Sequence, residues 1–274
     1  MQGTLRKLKT ELTEQQGIAN TATYHLPIGD QLLPLNEQIG HSLTLNYTGN
    51  IFCAECGKKT KKSYSQGYCY VCMSKKASCD MCILKPETCH HHLGTCREPQ
   101  WGEENCMIDH FVYLSNTSGL KVGITRHSQV PTRWIDQGAT QALPIFKVST
   151  RLQSGKVETA LAEHIADKTN WRALLKGNND DMDLKAKAAE LIPLIGERLE
   201  QVKLEFGADA VIELDEQVTQ IHYPVLEFPT KITSFNFDKK PEVSGTLMGI
   251  KGQYLLFDTG VINIRKFGSY EVTV

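Results

Sequence analysis

The sequence predicts an α+β fold assembled from three segments, and three observations carry that prediction. All nine cysteines fall between Ile51 and Cys106, which marks a metal-binding segment. Both ends of the chain carry only short extended patterns broken by Gly and Pro. Between them, residues 107–207 alternate strand and helix patterns in the order β-β-α-β-α, ending on a long amphipathic stripe. The expected organisation is a terminal β module from 1–50 and 208–274, a zinc-ribbon and Cys-rich segment at 51–106, and an α/β domain at 107–207.

Composition narrows the class. The chain has 274 residues, 41% hydrophobic and 22% charged, ordinary for a globular protein with a full core. No run of eighteen apolar residues occurs, so no membrane span is expected. The start, MQGTLRKLKTELTEQQ, has no apolar signal region, and a cytoplasmic location is expected. The formal net charge is −1, so any nucleic-acid surface has to come from a local patch.

In chain order, Thr4–Leu12, Thr21–Leu26 and Ser42–Tyr47 have strand patterns, as do Gly245–Ile250, Gln253–Phe257, Val261–Arg265 and Tyr270–Val274. Neither end has enough strands for a core alone, so the two are expected to pair into one small barrel or sandwich with the rest inserted.

In CAECGKKTKKSYSQGYCYVC, Cys53, Cys56, Cys69 and Cys72 form two C-x2-C pairs. Each pair can put two thiolates on one metal, and the intervening loop brings the second pair round to complete a tetrahedron. A structural zinc ribbon is expected; the odd cysteine count argues against a disulfide framework. A second zinc is expected on four of Cys79, Cys82, Cys89, Cys96 and Cys106, with His90 as first substitute; which four is not readable. Between the first two pairs lie Lys58, Lys59, Lys61 and Lys62 with Tyr64. Basic groups neutralise phosphates and rings stack on bases, so this loop suits DNA or RNA; a solvated loop between ligands carries equal weight. Further on, Arg97 either belongs to a metal-stiffened loop or faces substrate.

His110 to Trp134 has the pattern of two strands around the turn Asn116-Thr117-Ser118-Gly119, then a helix start at Val130-Pro131-Thr132. Leu143–Thr150 reads as a third strand with Pro144 at its beginning. Val157–Lys168 has helical spacing, with Glu158 in its first turn, where the helix dipole favours a negative charge anyway. The stripe Leu184, Ala188, Leu191, Ile195, Leu199, Val202 and Phe206 predicts one helix over Asp181–Phe206, kinked at Pro193. Ala210–Leu214 and Gln220–Phe228 read as strands.

With Phe111-Val112-Tyr113 on the first strand, Lys121-Val122-Gly123 on the second, Arg133 near a helix start and Glu158 on the next helix, this region resembles the GIY-YIG nuclease superfamily, in its Lys-Ile-Gly-type branch. The first triplet lacks the Gly, and Lys121 stands where the best-known members carry Tyr. The resemblance implies phosphodiester hydrolysis in which Tyr113 orients or deprotonates water, Arg133 steadies phosphate charge, Glu158 binds Mg²⁺ or Mn²⁺, Lys121 contacts phosphate, and Asn170 is a weaker match to a late Asn. Nearly the whole chain also resembles an uncharacterised prokaryotic family marked by a Cys-rich segment ahead of LKVGITR and WIDQGA.

Two other functions stay open beside a nuclease. One is a non-catalytic zinc-containing nucleic-acid-binding protein that uses Lys121, Arg126 and Arg133 for phosphates. The other is a protein-interaction scaffold stabilised by its metals.

Overall fold

The computed structural model describes residues 1–15, 17–165, 170–177 and 180–274. Strands β1 (Gln2–Thr4), β2 (Lys9–Gln15), β3 (Ile18–Ile28), β4 (Gln31–Pro34) and β5 (Ser42–Ile51) precede the Cys-rich segment, which carries helices α1 (Tyr70–Lys75) and α2 (Pro99–Asn105). Then come β6 (His110–Asn116), β7 (Leu120–Arg126), α3 (Thr132–Asp136), β8 (Gln141–Val148), α4 (Arg151–Ala162) and α5 (Trp171–Leu174). Helices α6 (Leu184–Leu191) and α7 (Gly196–Phe206) and strands β9 (Val211–Glu213) and β10 (Thr219–Gln220) lead to β11 (Glu242–Lys251), β12 (Tyr254–Phe257), β13 (Gly260–Asn263) and β14 (Tyr270–Thr273). The fold is mixed α+β with several sheets.

Strands from the two ends interleave in one antiparallel sheet, ordered β1-β14-β5-β11-β12-β13. A second sheet, β2-β3-β4, shares its core: Leu5, Tyr24, Leu26, Leu45, Ile250 and Phe267 are buried together. The barrel alternative is corrected, because the six-stranded sheet ends on β1 and β13, which do not pair, and no barrel closes among the described residues. The Gln220–Phe228 strand is also corrected: β10 stops at Gln220, and Pro224 has no N–H to extend a ladder.

The third sheet runs β10-β8-β6-β7, with β9 also on β8. β8 begins at Gln141, so Pro144 sits inside it rather than at its start, where the register between β6 and β8 shifts from Val112 to Tyr113. A bulge is where an interior strand tolerates a residue without N–H. One face of this sheet packs Val112 and Leu114 on Val157, Ala160 and Leu161 of α4.

Helix α4 starts earlier than its periodicity suggested. Thr150 accepts from the Gln153 N–H and the Gln153 side chain accepts from the Thr150 N–H, a reciprocal cap that fixes the start at Arg151. Glu158 therefore lies past the second turn, beyond the reach of the dipole argument. The expected helix over Val157–Lys168 includes residues 166–168, outside the described ones. The long C-terminal helix is likewise two helices: a 3₁₀ turn over Ile192–Ile195 separates α6 from α7. Pro193 breaks the hydrogen-bond ladder rather than merely bending it, while Leu184, Ala188, Leu191, Ile195, Leu199 and Val202 remain buried.

Candidate functional site

Tyr113 on β6 lies directly across from Gly123 on β7. A Cβ at Gly123 would sit 2.7 Å from the Tyr113 hydroxyl, so only glycine lets the ring lie over the neighbouring strand. The ring meets Trp134 edge-on at 6.0 Å and its hydroxyl donates to Gln137 Oε1 at 2.6 Å. Tyr113 is fully buried, and burial pushes its phenol up to about 12, with the bonded Arg133 guanidinium pulling the other way. Such a phenol stays protonated at neutral pH. The resemblance gives Tyr113 the task of orienting or deprotonating water; its hydroxyl sits in the core, bonded to Gln137.

Beside it lies a cleft of about 310 Å³ lined by Arg126, Arg133, Arg151, Arg265 and Glu158, together with Lys7, Asp136, Ile83, Leu84 and Pro86; Arg133 and Arg151 are the lining arginines whose charge acts on Glu158. Asp136 is already neutralised, since Oδ2 meets Lys7 Nζ at 2.9 Å and Oδ1 accepts from Gln253 Nε2 at 2.8 Å. Burial raises the Glu158 carboxyl to about 7 against the opposing pull of Arg133, Arg151 and Lys121. Arg151 is held by the carbonyls of Cys82 (3.4 Å) and Ile83 (2.7 Å), Arg126 by Asn105, and Arg265 by Gln66. Five basic and two acidic side chains on one concave surface favour an anion.

The sequence-expected residues divide here. Arg126, Arg133 and Glu158 line the cleft; Tyr113 lies beside it, Lys121 is half-buried on β7 outside its lining, and Asn170 is elsewhere. Asn170 caps α5, accepting from the Arg172 and Ala173 N–H groups. Arg97 faces Asp80, at 2.6 Å, not the cleft. Sequence reasoning missed Lys7, Arg151 and Arg265. Arg151 is seven residues before Glu158, on the same helix face, and that spacing was a usable signal; Lys7 and Arg265 arrive from opposite chain ends, with no local signal.

The first Cys cluster forms as its spacing requires. The sulfurs of Cys53, Cys56, Cys69 and Cys72 all lie within 4.8 Å of one another, and Cys56 and Cys69 are 3.9 Å apart. Tetrahedral Zn–S bonds of about 2.3 Å imply S···S separations of about 3.8 Å, so the group could hold zinc. Gly57, with φ +68°, makes the first turn, and Cys69 caps α1, accepting from the Cys72 N–H at 3.5 Å. Burial opposes ionisation of Cys53, but N–H groups of Cys56, Cys69 and Glu55 outweigh it and hold this thiol at about 6, near the thiolate a metal needs. Lys58, Lys59, Lys61 and Lys62 are exposed between the pairs, with Lys62 5.3 Å over the Tyr64 ring.

Of the remaining cysteines, Cys82, Cys89, Cys96 and Cys106 line one cavity of about 10 Å³, with His90 and His91. Cys79 lies in a separate 3₁₀ turn outside that lining, its sulfur near Ser78 Oγ. Asp80, Cys82 and His90 form a second set of mutually close ligand atoms.

No curated protein and no solved structure matches the chain. One family profile does, over residues 40–272, described as "Protein of unknown function (DUF2797)"; it carries no GIY-YIG assignment and no activity. The match spans the Cys-rich segment, the cleft helices and the C-terminal sheet, and on that coverage the chain belongs to the DUF2797 family.

Proposed function

We propose that this is a zinc-containing phosphodiesterase of GIY-YIG type that acts on nucleic acid through the Glu158 cleft. The observation that carries the reading is that Arg126, Arg133, Arg151 and Arg265 line one cleft with the half-buried Glu158, whose carboxyl Arg133 and Arg151 act on directly. Hydrolysis adds water across a P–O bond and needs cations against the charge that develops on the non-bridging oxygens. Arg133 and Arg151 bind the scissile phosphate, Arg126 and Arg265 take the flanking backbone, and Tyr113 with Gln137 holds Arg133 in position. The donor chemistry of Glu158 fits a hard divalent ion whose other ligands are waters and phosphate oxygens; Mg²⁺ or Mn²⁺ there would polarise phosphate and acidify water. The zinc ribbon presents Lys58, Lys59, Lys61, Lys62 and Tyr64 as a second contact with the strand.

Burial of Tyr113 favours a second reading, a binding protein on a nuclease-like frame, because among the described residues the cleft lining holds no phenol. Incubation of single-stranded, duplex and branched DNA and RNA with Mg²⁺ or Mn²⁺ tests the two. The phosphodiesterase predicts cleavage that Glu158→Gln and Arg133→Ala each reduce at least a hundredfold, with zinc content unchanged. Retention on a gel without cleavage under any condition supports the binding protein, and neither retention nor cleavage leaves the scaffold.

A further inference from the structure

Cys82, Cys89, Cys96 and Cys106 come from different parts of the segment, yet all line the same small, partly open hole of about 10 Å³. Cys82, Cys89 and Cys106 are 9%, 6% and 4% exposed, and all nine cysteines are free thiols. A packed interior seldom keeps a void lined by four cysteines, and a void of this size admits one sphere about as large as water; the ligand atoms already within 4.8 Å of one another there are those of Asp80, Cys82 and His90, so the four sulfurs have to draw inward to share an ion. Helix α2 reaches the hole only because residue 102 is glycine: a Cβ there would lie 2.6 Å from the His91 ring and 3.3 Å from Cys96 Sγ. Asp80, by contrast, already has partners in the Arg97 side chain and the Cys82 N–H.

We propose that Cys82, Cys89, Cys96 and Cys106 form a second, all-thiolate zinc centre and that Cys79 takes no part in it. Four soft donors are a full tetrahedral set, and so suit a structural ion with no coordination position left for substrate. On binding, each thiol loses its proton to solvent and the sulfurs close on the ion.

The centre also shapes the cleft. A metal joining Cys82 to Cys89 closes the loop that carries Ile83, Leu84 and Pro86, the apolar wall of the cleft. The carbonyls of Cys82 and Ile83 hold Arg151, and the Pro86–Glu87 backbone lies against Gly155, so near that a Cβ at Gly155 would be 2.2 Å from the Glu87 nitrogen. Loss of the ion frees both the wall and Arg151. That effect on cleavage rests on the phosphodiesterase reading, whereas the metal count does not.

The test is zinc per chain in the purified full-length protein, by elemental mass spectrometry. Two ions are expected in the wild type, one in Cys53→Ser/Cys56→Ser, one in Cys89→Ser/Cys106→Ser, and two in Cys79→Ser and in Asp80→Asn. One ion in the wild type overturns the proposal, as does loss of an ion in Cys79→Ser with both retained in Cys89→Ser/Cys106→Ser. Should the latter variant not fold, Cys53→Ser/Cys56→Ser loaded with Co²⁺ decides: tetrahedral d–d bands with sulfur-to-cobalt charge transfer support the centre, and their absence refutes it.

Discussion

Gly155→Ala tests the packing of the Cys-rich wall against α4. Alanine in place of glycine within a helix normally stabilises by about 1 kcal/mol, through helix propensity and a less flexible unfolded chain. At Gly155 the added carbon would lie 2.2 Å from the Glu87 nitrogen, 2.5 Å from the Pro86 carbonyl carbon and 2.8 Å from Pro86 Cβ. Two of these are backbone atoms that no rotamer change moves, so the wall must retreat by about an ångström, and overpacking of this kind costs about 1–3 kcal/mol. The expected net result is no gain, or destabilisation by up to about 2 kcal/mol, measured as an unchanged or lower urea midpoint at unchanged slope. Gly196→Ala is the matched control, since nothing lies within 4 Å of its Cβ position, and it should stabilise by up to about 1 kcal/mol. Equal stabilisation by both substitutions would show that the wall does not rest on α4 in solution, and the link from the cysteines to Glu158 would fall with it.

Two further outcomes follow from charges. Lys251 is 1% exposed, and its ammonium lies over the rings of Tyr223 and Phe228, at 5.5 and 5.7 Å; burial lowers it to about 8 from 10.5. The unfolded chain therefore holds this proton more tightly between those pH values, and the penalty, full below pH 8, fades as pH rises through that window. Lys251→Met should be the more stable protein at pH 7, and its advantage should shrink by up to about 3 kcal/mol by pH 10.5; a gap independent of pH would refute the buried cation. In the basic loop, replacing Lys58, Lys59, Lys61 and Lys62 together by alanine should lower the slope of log affinity against log salt for single-stranded nucleic acid by about 3. An unchanged slope would remove that loop from the interface.

What the sequence disclosed was what a short stretch of chain decides alone. The Cys53, Cys56, Cys69 and Cys72 set needs only two knuckles and a loop, and its geometry follows from spacing. The hairpin with Tyr113 opposite Gly123 is equally local, as is the apolar stripe of α6 and α7. Pro193 marked the right place, but whether a proline bends a helix or divides it depends on what packs on either side. Asn170 could have been recognised as a helix cap from the four-residue helix behind it. The second cysteine set was ambiguous because C-x2-C spacing favours Cys79 with Cys82, whereas tertiary packing brings in Cys89, Cys96 and Cys106 instead. Lys7 and Arg265 reach the cleft only because the chain ends share one sheet, a pairing across more than two hundred residues that no window registers.

The charge arrangement in the cleft argues for an anionic ligand over a purely architectural role. Arg151 and Arg265 both have their guanidinium groups disfavoured by burial, and in each case Arg133 adds repulsion. Packing like charges together in a half-buried site costs free energy that a scaffold has no reason to spend, since apolar side chains of the same size would be at least as stable. Asp136 offsets part of it at Arg265 and Glu158 part of it at Arg151, but Asp136 is shared with Lys7 and Gln253, and burial raises the Glu158 carboxyl to about 7. An anion that several guanidinium groups could share would remove part of the repulsion that remains, and the proposed phosphodiester substrate is of that chemistry.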